Sequence, residues 1–395
     1  MSFSLQRTVS VPEINSLVRF YLHEQTGAQL LTVSNDDENK CFGINFRTPN
    51  TDSTGVAHIL EHSVLCGSKK YPVKEPFVEI IKGSLQTFVN AFTYPDKTCY
   101  PCASTNQKDF YNLIDIYIDA VFHPNLTELT FQQEGWHYEV DETSGDLSYK
   151  GVVFNEMKGA YSSPEDLLGD LSRQLTFPDS IYRHDSGGDP LAIPDLTYEQ
   201  FTNYHRKYYH PSNSYIYFYG DDPEEQRLKL MDEALASFSK IDVDSEIALQ
   251  KDFSTSRTHT SKYDSGETED PKSYITLNWK LQPAVDIQSS MEFSLIDHLL
   301  LGNAAAPMKR ALLESGLGDE VIGGFDDHLA QSKFTIGLKG VKEEDLSKVD
   351  QLIQDTLQEV VKNGFDTESI KASLNTIEFH LREQNSGRFP RGLVM

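Results

Sequence analysis

The stretch His58-Ile59-Leu60-Glu61-His62-Ser63-Val64-Leu65-Cys66-Gly67-Ser68-Lys69-Lys70-Tyr71-Pro72 opens with two histidines four residues apart and a glutamate beside the second. On a helix, positions four apart share a face. His58 and His62 can therefore chelate one ion, and Glu61 is placed to hold a water against it. The pattern H-x-x-E-H is the inverse of the zinc-binding motif H-E-x-x-H. Two neutral imidazoles suit Zn²⁺, and a catalytic zinc site needs a third protein ligand and one open position. Zinc lowers the pKa of its water to about 7 and polarises a carbonyl. A neighbouring carboxylate can take the proton and return it to a leaving amine. The flanks Val56, Ala57, Ile59, Leu60, Val64 and Leu65 are apolar, so the helix is expected to be buried. Three polar groups on a buried helix need partners, which charged groups decorating a solvated helix do not.

The third ligand is expected to be a carboxylate on another buried helix. Glu156, in Gly151-Val152-Val153-Phe154-Asn155-Glu156-Met157-Lys158-Gly159, fits. Val152, Val153, Glu156 and Ala160 share a helical face, so the glutamate interrupts an apolar stripe. Glu134, in Gln133-Glu134-Gly135-Trp136, is the rival. For either, the alternative is a capped or ion-paired core glutamate.

Outward from the motif, residues 17–22, 29–33 and 40–46 read as strands punctuated by Gly27 and Asn35-Asp36-Asp37. Helices are expected near 54–66 and 75–83, and a β-rich run from Thr87 to Tyr94. Phe110, Leu113, Ile114, Tyr117, Ile118 and Val121 recur at helical spacing over 107–122. A long helical stretch from Gly151 to about Leu175 must break or kink at Pro164. Thr197 with Gln200 forms a capping-box pattern for a helix over 197–209. A strand at 215–219 and a helix over 223–240 follow. Residues 241–272 are polar and charged, the best linker candidate in the chain. After them come a strand at 274–281, helices at 289–302 and 306–315, a strand at 332–339, and helices at 343–363 and 366–383. The fold class is α+β: tandem related domains, each a mainly antiparallel sheet flanked by helices. The expected bounds are 1–245 for a zinc-binding domain, 246–272 for a linker and 273–395 for a second, non-catalytic domain. That second domain looks short of strands, and Arg388-Phe389-Pro390-Arg391-Gly392-Leu393-Val394-Met395 does not read as a natural tail. The native chain is expected to continue.

The 395 residues carry 35 basic and 60 acidic side chains, a net charge of −25. Such a surface repels phosphate backbones, so a nucleic-acid partner is not expected. Basic peptides are compatible with it. Four cysteines make no disulfide framework, and a reducing compartment is the default. No run reaches the ~20 apolar residues of a membrane helix, and the first residues lack the apolar core of a signal peptide. The expectation is a cytoplasmic protein that does not bind membranes, with an organellar matrix the alternative for relatives. Cys99-Tyr100-Pro101-Cys102 is read as packed thiols, since a redox motif wants a helix N-terminus. Gly187-Gly188 and Gly316-Leu317-Gly318 lack the context of nucleotide loops and read as turns.

His58 to Pro72 resembles the pitrilysin/insulinase family of zinc peptidases, in its presequence-protease and falcilysin branch. Thr87-Phe88-Val89-Asn90-Ala91-Phe92-Thr93, Gln133 to Trp136, Gly151 to Gly159, Ser186-Gly187-Gly188-Asp189-Pro190 and Tyr209-His210-Pro211-Ser212-Asn213 match further blocks in order. The resemblance is strong over about 10–240 and looser beyond. It implies a zinc-dependent endopeptidase acting on unstructured oligopeptides, with one Zn²⁺ per chain held by His58, His62 and Glu156. It implies Glu61 as general base. The family's hydrophobic pocket falls on Leu65, Phe77, Val78 and Ile81. Its peptide-binding edge strand falls on Asn90, Ala91 and Phe92, where β-augmentation reads backbone rather than sequence. Family members are more than twice this long, two halves closing like a clamshell around a chamber. The resemblance therefore implies a partner, the C-terminal half of the same protein, and weak hydrolysis by this chain alone. The rival expectation is a non-catalytic scaffold half, though such subunits lose part of the motif and this chain keeps all of it.

Overall fold

A computed structural model describes residues 2–73, 79, 82–265, 272–383 and 386–394, which form two units. The first unit comprises the residues up to Gly159, His184–Glu246 and 386–394. Its framework is an eight-stranded sheet: β1 (Phe3–Val11), β2 (Ser16–His23), β3 (Gln29–Ser34), β4 (Lys40–Arg47), β5 (Gln86–Val89), β6 (Phe92–Thr93), β7 (Lys97–Ser104) and β10 (Ser214–Gly220). A hairpin of β8 (His137–Val140) and β9 (Leu147–Lys150) stands apart. The order in the large sheet is β1-β2-β3-β10-β4-β7-β5, with β6 also on β7. Every pairing is antiparallel except β10 on β3.

The strand period of two divides this sheet into faces. Leu30, Ile44, Phe42, Ile216, Phe218 and Tyr100 are cross-strand neighbours and buried. Helices cover this side: α2 (Gln107–Phe122), α6 (Tyr198–Tyr208) and α7 (Glu224–Leu235). Tyr209 stacks on Phe46, Phe122 meets Phe46 edge-on, Tyr117 tilts against Tyr100, and Arg227 lies over Phe218. On the other face Val33, Cys41, Ala103 and Tyr219 form a row against which Phe88 and Leu393 pack. Leu393 belongs to a short helix, Arg391–Val394, so the segment expected to be no natural tail is seated on the sheet.

The second unit comprises Ala160–Arg183 and Ile247–Glu383. Its sheet has three antiparallel strands in the order β11 (Ser273–Pro283), β13 (Gln331–Val341), β12 (Glu320–Asp326). Helices α8 (Ile287–Leu301), α9 (Pro307–Glu314), α10 (Leu346–Asn363) and α11 (Thr367–Glu383) surround it. Leu300, Met308, Leu312, Phe334, Ile336 and Ile353 make the core. An earlier helix, α5 (Pro164–Thr176), joins this unit through Ser172 and Thr276, 3.1 Å apart, and the ion pair Lys339–Glu165.

Local signals account for the boundaries. Pro164 does break the expected long helix: α4 (Val152–Ala160) ends before it, and α5 begins with Pro164 in its first turn and Ser163 capping Asp166 N. Thr197 and Gln200 make the reciprocal capping box. β1, β7, β12, the β8–β9 hairpin and helix α3 (Glu128–Glu134) were not anticipated. The helix expected at 75–83 falls mostly on 74–78 and 80–81, outside the described residues. Cys99 and Cys102 lie within β7, on opposite faces, and none of the four cysteines is in a disulfide. Burial lifts the Cys99 thiol to about 12 and that of Cys102 well above its usual range, so both stay protonated. Among the described residues no helix is long and apolar enough to cross a membrane.

Candidate metal centre

The motif occupies helix α1 (Val56–Val64), buried along nearly its whole length. Gly55 starts it in a left-handed conformation, φ 69°. A Cβ there would stand 2.7 Å from the Gly187 carbonyl oxygen and 2.9 Å from Gly188 Cα. That close approach brings the 186–190 loop onto the first turn of α1. As a result His58 Nδ1 donates to the Gly187 carbonyl at 2.9 Å. The bond fixes the tautomer and leaves Nε2 as a lone pair aimed away from the loop.

His62 is held in the same way by a carboxylate. Its Nδ1 lies 3.4 Å from Glu134 Oε2. Glu134 ends α3, and its other oxygen accepts from the Gln133 amide at 2.8 Å and the Cys66 thiol at 3.4 Å. Burial alone would pull the His62 imidazolium down; the hydrogen bond to Glu134 and the charges of Glu61, Glu134 and Glu156 outweigh it, so its pKa is raised. Burial would likewise raise Glu134, but the bonds from His62, Gln133 and Cys66 leave it below the usual carboxylate range. A tight glycine contact builds this corner. A Cβ on Gly151 would stand 2.0 Å from the Gly135 oxygen, so only glycine lets the start of α4 meet the end of α3.

Glu156 on α4 closes the group. Its carboxylate oxygens lie 3.8 Å from His58 Nε2 and 3.7 Å from His62 Nε2. One ligand atom from each of the three falls within 4.8 Å of the others, the one such cluster among the described residues. A tetrahedral zinc with bonds of ~2.0–2.1 Å spaces its ligands by about 3.4 Å. The donor set therefore fits the ion in both distance and chemistry. The expectation of a buried, stripe-interrupting Glu156 needs correction. Val153, Phe154 and Met157 form the buried face of α4, Val152 is exposed, and the Glu156 side chain is 54% exposed. It is Glu134, at 8%, that is buried. The rival for the third ligand thus sits on the far nitrogen of His62.

Glu61 lies on α1 between the two histidines and is 9% exposed. Burial, with a smaller contribution from the Glu61 charge, keeps the phenols of Tyr100 and Tyr117 neutral. Leu65 follows the end of α1 and is partly buried. Phe77, Val78 and Ile81 lie outside the described residues. Asn90 and Ala91 stand between β5 and β6, and Phe92 opens β6, which packs against α1. Asn90 N donates to the Pro101 carbonyl and its own carbonyl accepts from Tyr117 Oη at 2.8 Å. Among the described residues, no strand pairs with the outer side of β5 or β6. Nothing in the residue pattern pointed to the Gly187 carbonyl or to the Gln133 and Cys66 donors. Ser186-Gly187-Gly188 read only as a turn.

The profile described as "Insulinase (Peptidase family M16)" matches residues 47–161, which include His58, Glu61, His62 and Glu156. That described as "Peptidase M16 inactive domain" matches 195–377. Together they account for about three quarters of the chain. This chain belongs to the M16 peptidase family. Within the family it is 54% identical over 393 residues to "Presequence protease 1, chloroplastic/mitochondrial" of Arabidopsis thaliana, covering 98% of this chain and 36% of that protein. "Protein HypA" of Clostridium perfringens is 48% identical over 400 residues, with 99% and 41% covered. "Presequence protease, mitochondrial" of Mus musculus is 38% identical over 393 residues, with 97% and 38% covered. The chain thus spans about two fifths of the length of these relatives. The fold is shared with the crystal structure of pitrilysin, at TM-score 0.71 and 16% identity over 100% of this chain and 41% of that one. It is shared also with a peptidase M16 inactive domain from Pseudomonas fluorescens, at TM-score 0.74, 17% identity, and 98% and 85% coverage.

Proposed function

We propose that this chain carries the catalytic centre of a zinc-dependent endopeptidase that hydrolyses unstructured oligopeptides. The observation that carries the reading is the convergence of His58 Nε2, His62 Nε2 and the Glu156 carboxylate within 4.8 Å, each imidazole held at its far nitrogen. These three would hold one Zn²⁺. When bound, the ion supplies Lewis-acid polarisation of the scissile carbonyl and acidifies the attacking water. Glu61 takes the proton from that water and returns it to the amide nitrogen of the leaving peptide. Asn90, Ala91 and Phe92 receive the substrate backbone as an added strand. The family resemblance assigns the apolar pocket beside the cleaved bond to Leu65, Phe77, Val78 and Ile81.

Presequence-like peptides are the substrate class, by analogy with the names of the relatives. A net charge of −25 favours basic peptides among them. A thiol-reducing compartment, cytoplasm or organelle matrix, suits four cysteines that form no disulfide. The partner is the C-terminal portion present in the longer relatives. A second reading, a half-enzyme or non-catalytic scaffold that works only with that portion, is favoured by the inactive-domain match over 195–377. A quenched-peptide assay, with the chain alone and with the C-terminal portion of a relative added, separates the readings. Added portion should raise turnover from a weak basal level, and Glu61→Gln should abolish it while zinc is retained. Turnover that survives Glu61→Gln removes the mechanism; no turnover in any mixture leaves the scaffold.

A further inference from the structure

A row of aromatic rings runs along the outer edge strand, from beside α1 to the C-terminal segment. β5 and β6 keep one antiparallel register on β7: Phe88 opposite Ala103, Asn90 N bonded to the Pro101 carbonyl, Phe92 opposite Cys99. Residues two apart on a strand face the same way. Phe88, Asn90, Phe92 and Tyr94 therefore share a face. Phe88 and Phe92 stack at 6.3 Å between centroids, and Phe92 meets Tyr94 at 6.1 Å. Phe389, from the C-terminal segment, extends the row with an edge contact to Phe88 at 5.8 Å. At the other end Lys97 Nζ lies 5.0 Å over the Tyr94 ring. These rings are not sealed into the core: Tyr94 is 40% and Phe389 44% exposed, and Phe88 and Phe92 are partly exposed.

We propose that this row is an extended subsite that selects peptides carrying aromatic or aliphatic side chains at alternate positions. The proposal rests on the reading that substrate pairs with this edge. A strand added there places every second side chain on the aromatic face, within the ~4.5–5.5 Å Cβ spacing at which cross-strand pairs interact. The intervening side chains fall on the side of Val89, Ala91 and Thr93. Aromatic and aliphatic side chains gain from such rings beyond simple burial. From Phe92 to Phe88 an extended backbone covers about 13 Å. Residues about four or more positions from the cleaved bond are thus the ones that Phe88 and Phe389 read. Cleavage remains tolerant of sequence at the metal, while affinity depends on a pattern further along the peptide.

The test is fluorescence anisotropy with two labelled peptides of about 12 residues, zinc chelated to stop turnover. In one, Phe and Leu alternate with Ser; in the other the same residues are grouped in one apolar block. The alternating peptide should bind about fivefold tighter. Phe389→Ala should weaken its binding about threefold and narrow the gap between the two peptides, with the variant melting together with the parent chain. Equal affinity for both peptides, or an unaltered gap in Phe389→Ala, overturns the subsite and leaves the edge-strand reading intact. Binding of neither peptide overturns the edge-strand reading itself, and the subsite with it.

Discussion

His62 carries two carboxylates on one imidazole, Glu134 at Nδ1 and Glu156 at Nε2, and the division of labour between them is set by burial. Glu134 is enclosed, and its three donors, His62 Nδ1 among them, commit its carboxylate to the side of His62 away from Glu156. Glu156 is more than half exposed, which suits a proposed ligand that must stay open to substrate. The sequence could not separate them: both are helical glutamates in blocks with apolar neighbours, and periodicity says only which residues share a face. Glu134→Gln keeps the shape but loses the charge that orients and strengthens His62 as a ligand. Zinc affinity, measured by competition with a chromophoric chelator, should fall about 10–100-fold. An unchanged affinity would make Glu134 a bystander.

Helix α1 was legible because its apolar flanks and its motif agree; the loop that locks it was not, because a carbonyl acceptor leaves no residue-type signature. The lock makes Gly55 costly to replace. An added Cβ meets backbone rather than a flexible side chain, at a left-handed φ. Gly55→Ala should cost about 1–3 kcal/mol in thermal or urea unfolding and weaken zinc binding, since the Gly187 carbonyl must move from His58. A variant as stable as the parent would contradict the close packing. Helix α6 carries a second element-scale prediction. His205 Nε2 donates to the Val121 carbonyl at 2.9 Å, and burial pushes its pKa down to about 4. The unfolded chain binds this proton near pH 6.5, so stability present at neutral pH is lost as pH falls from about 6.5 towards 4, by about 3 kcal/mol. Melts at pH 7.5 and 5.0 should diverge less in His205→Gln, whose amide can still donate to Val121. Two of the strands that escaped sequence reading did so for different reasons. β12 contains Gly323-Gly324, which reads as a turn, yet Gly323 lies so close to β13 that a Cβ would stand 2.2 Å from the Thr335 oxygen. β1 is an exposed edge with Arg7 in its apolar alternation.

On the scale of the whole molecule, composition excluded far more than it identified. A charge of −25 argued against nucleic acid, while the family came from ordered blocks of sequence. The grammar of strands and helices on both sides of a polar stretch was legible. It did not reveal that Ala160–Arg183 belongs with the later residues, or that 386–394 returns to the first unit. Those associations are made by packing across large sequence separations, such as Ser172 on Thr276 and Leu393 beside Tyr219, which no local pattern encodes. The proposed metal centre likewise draws on residues 58, 62 and 156, with the Gly187 carbonyl and Glu134 at the end of α3 holding the two imidazoles, and it stands or falls as a unit. Metal content after exhaustive dialysis of the intact chain and of Glu156→Gln tests it most directly. One zinc per chain in the parent and none in the variant is the predicted result; a parent without zinc, or a Glu156→Gln variant that keeps it, would contradict the account.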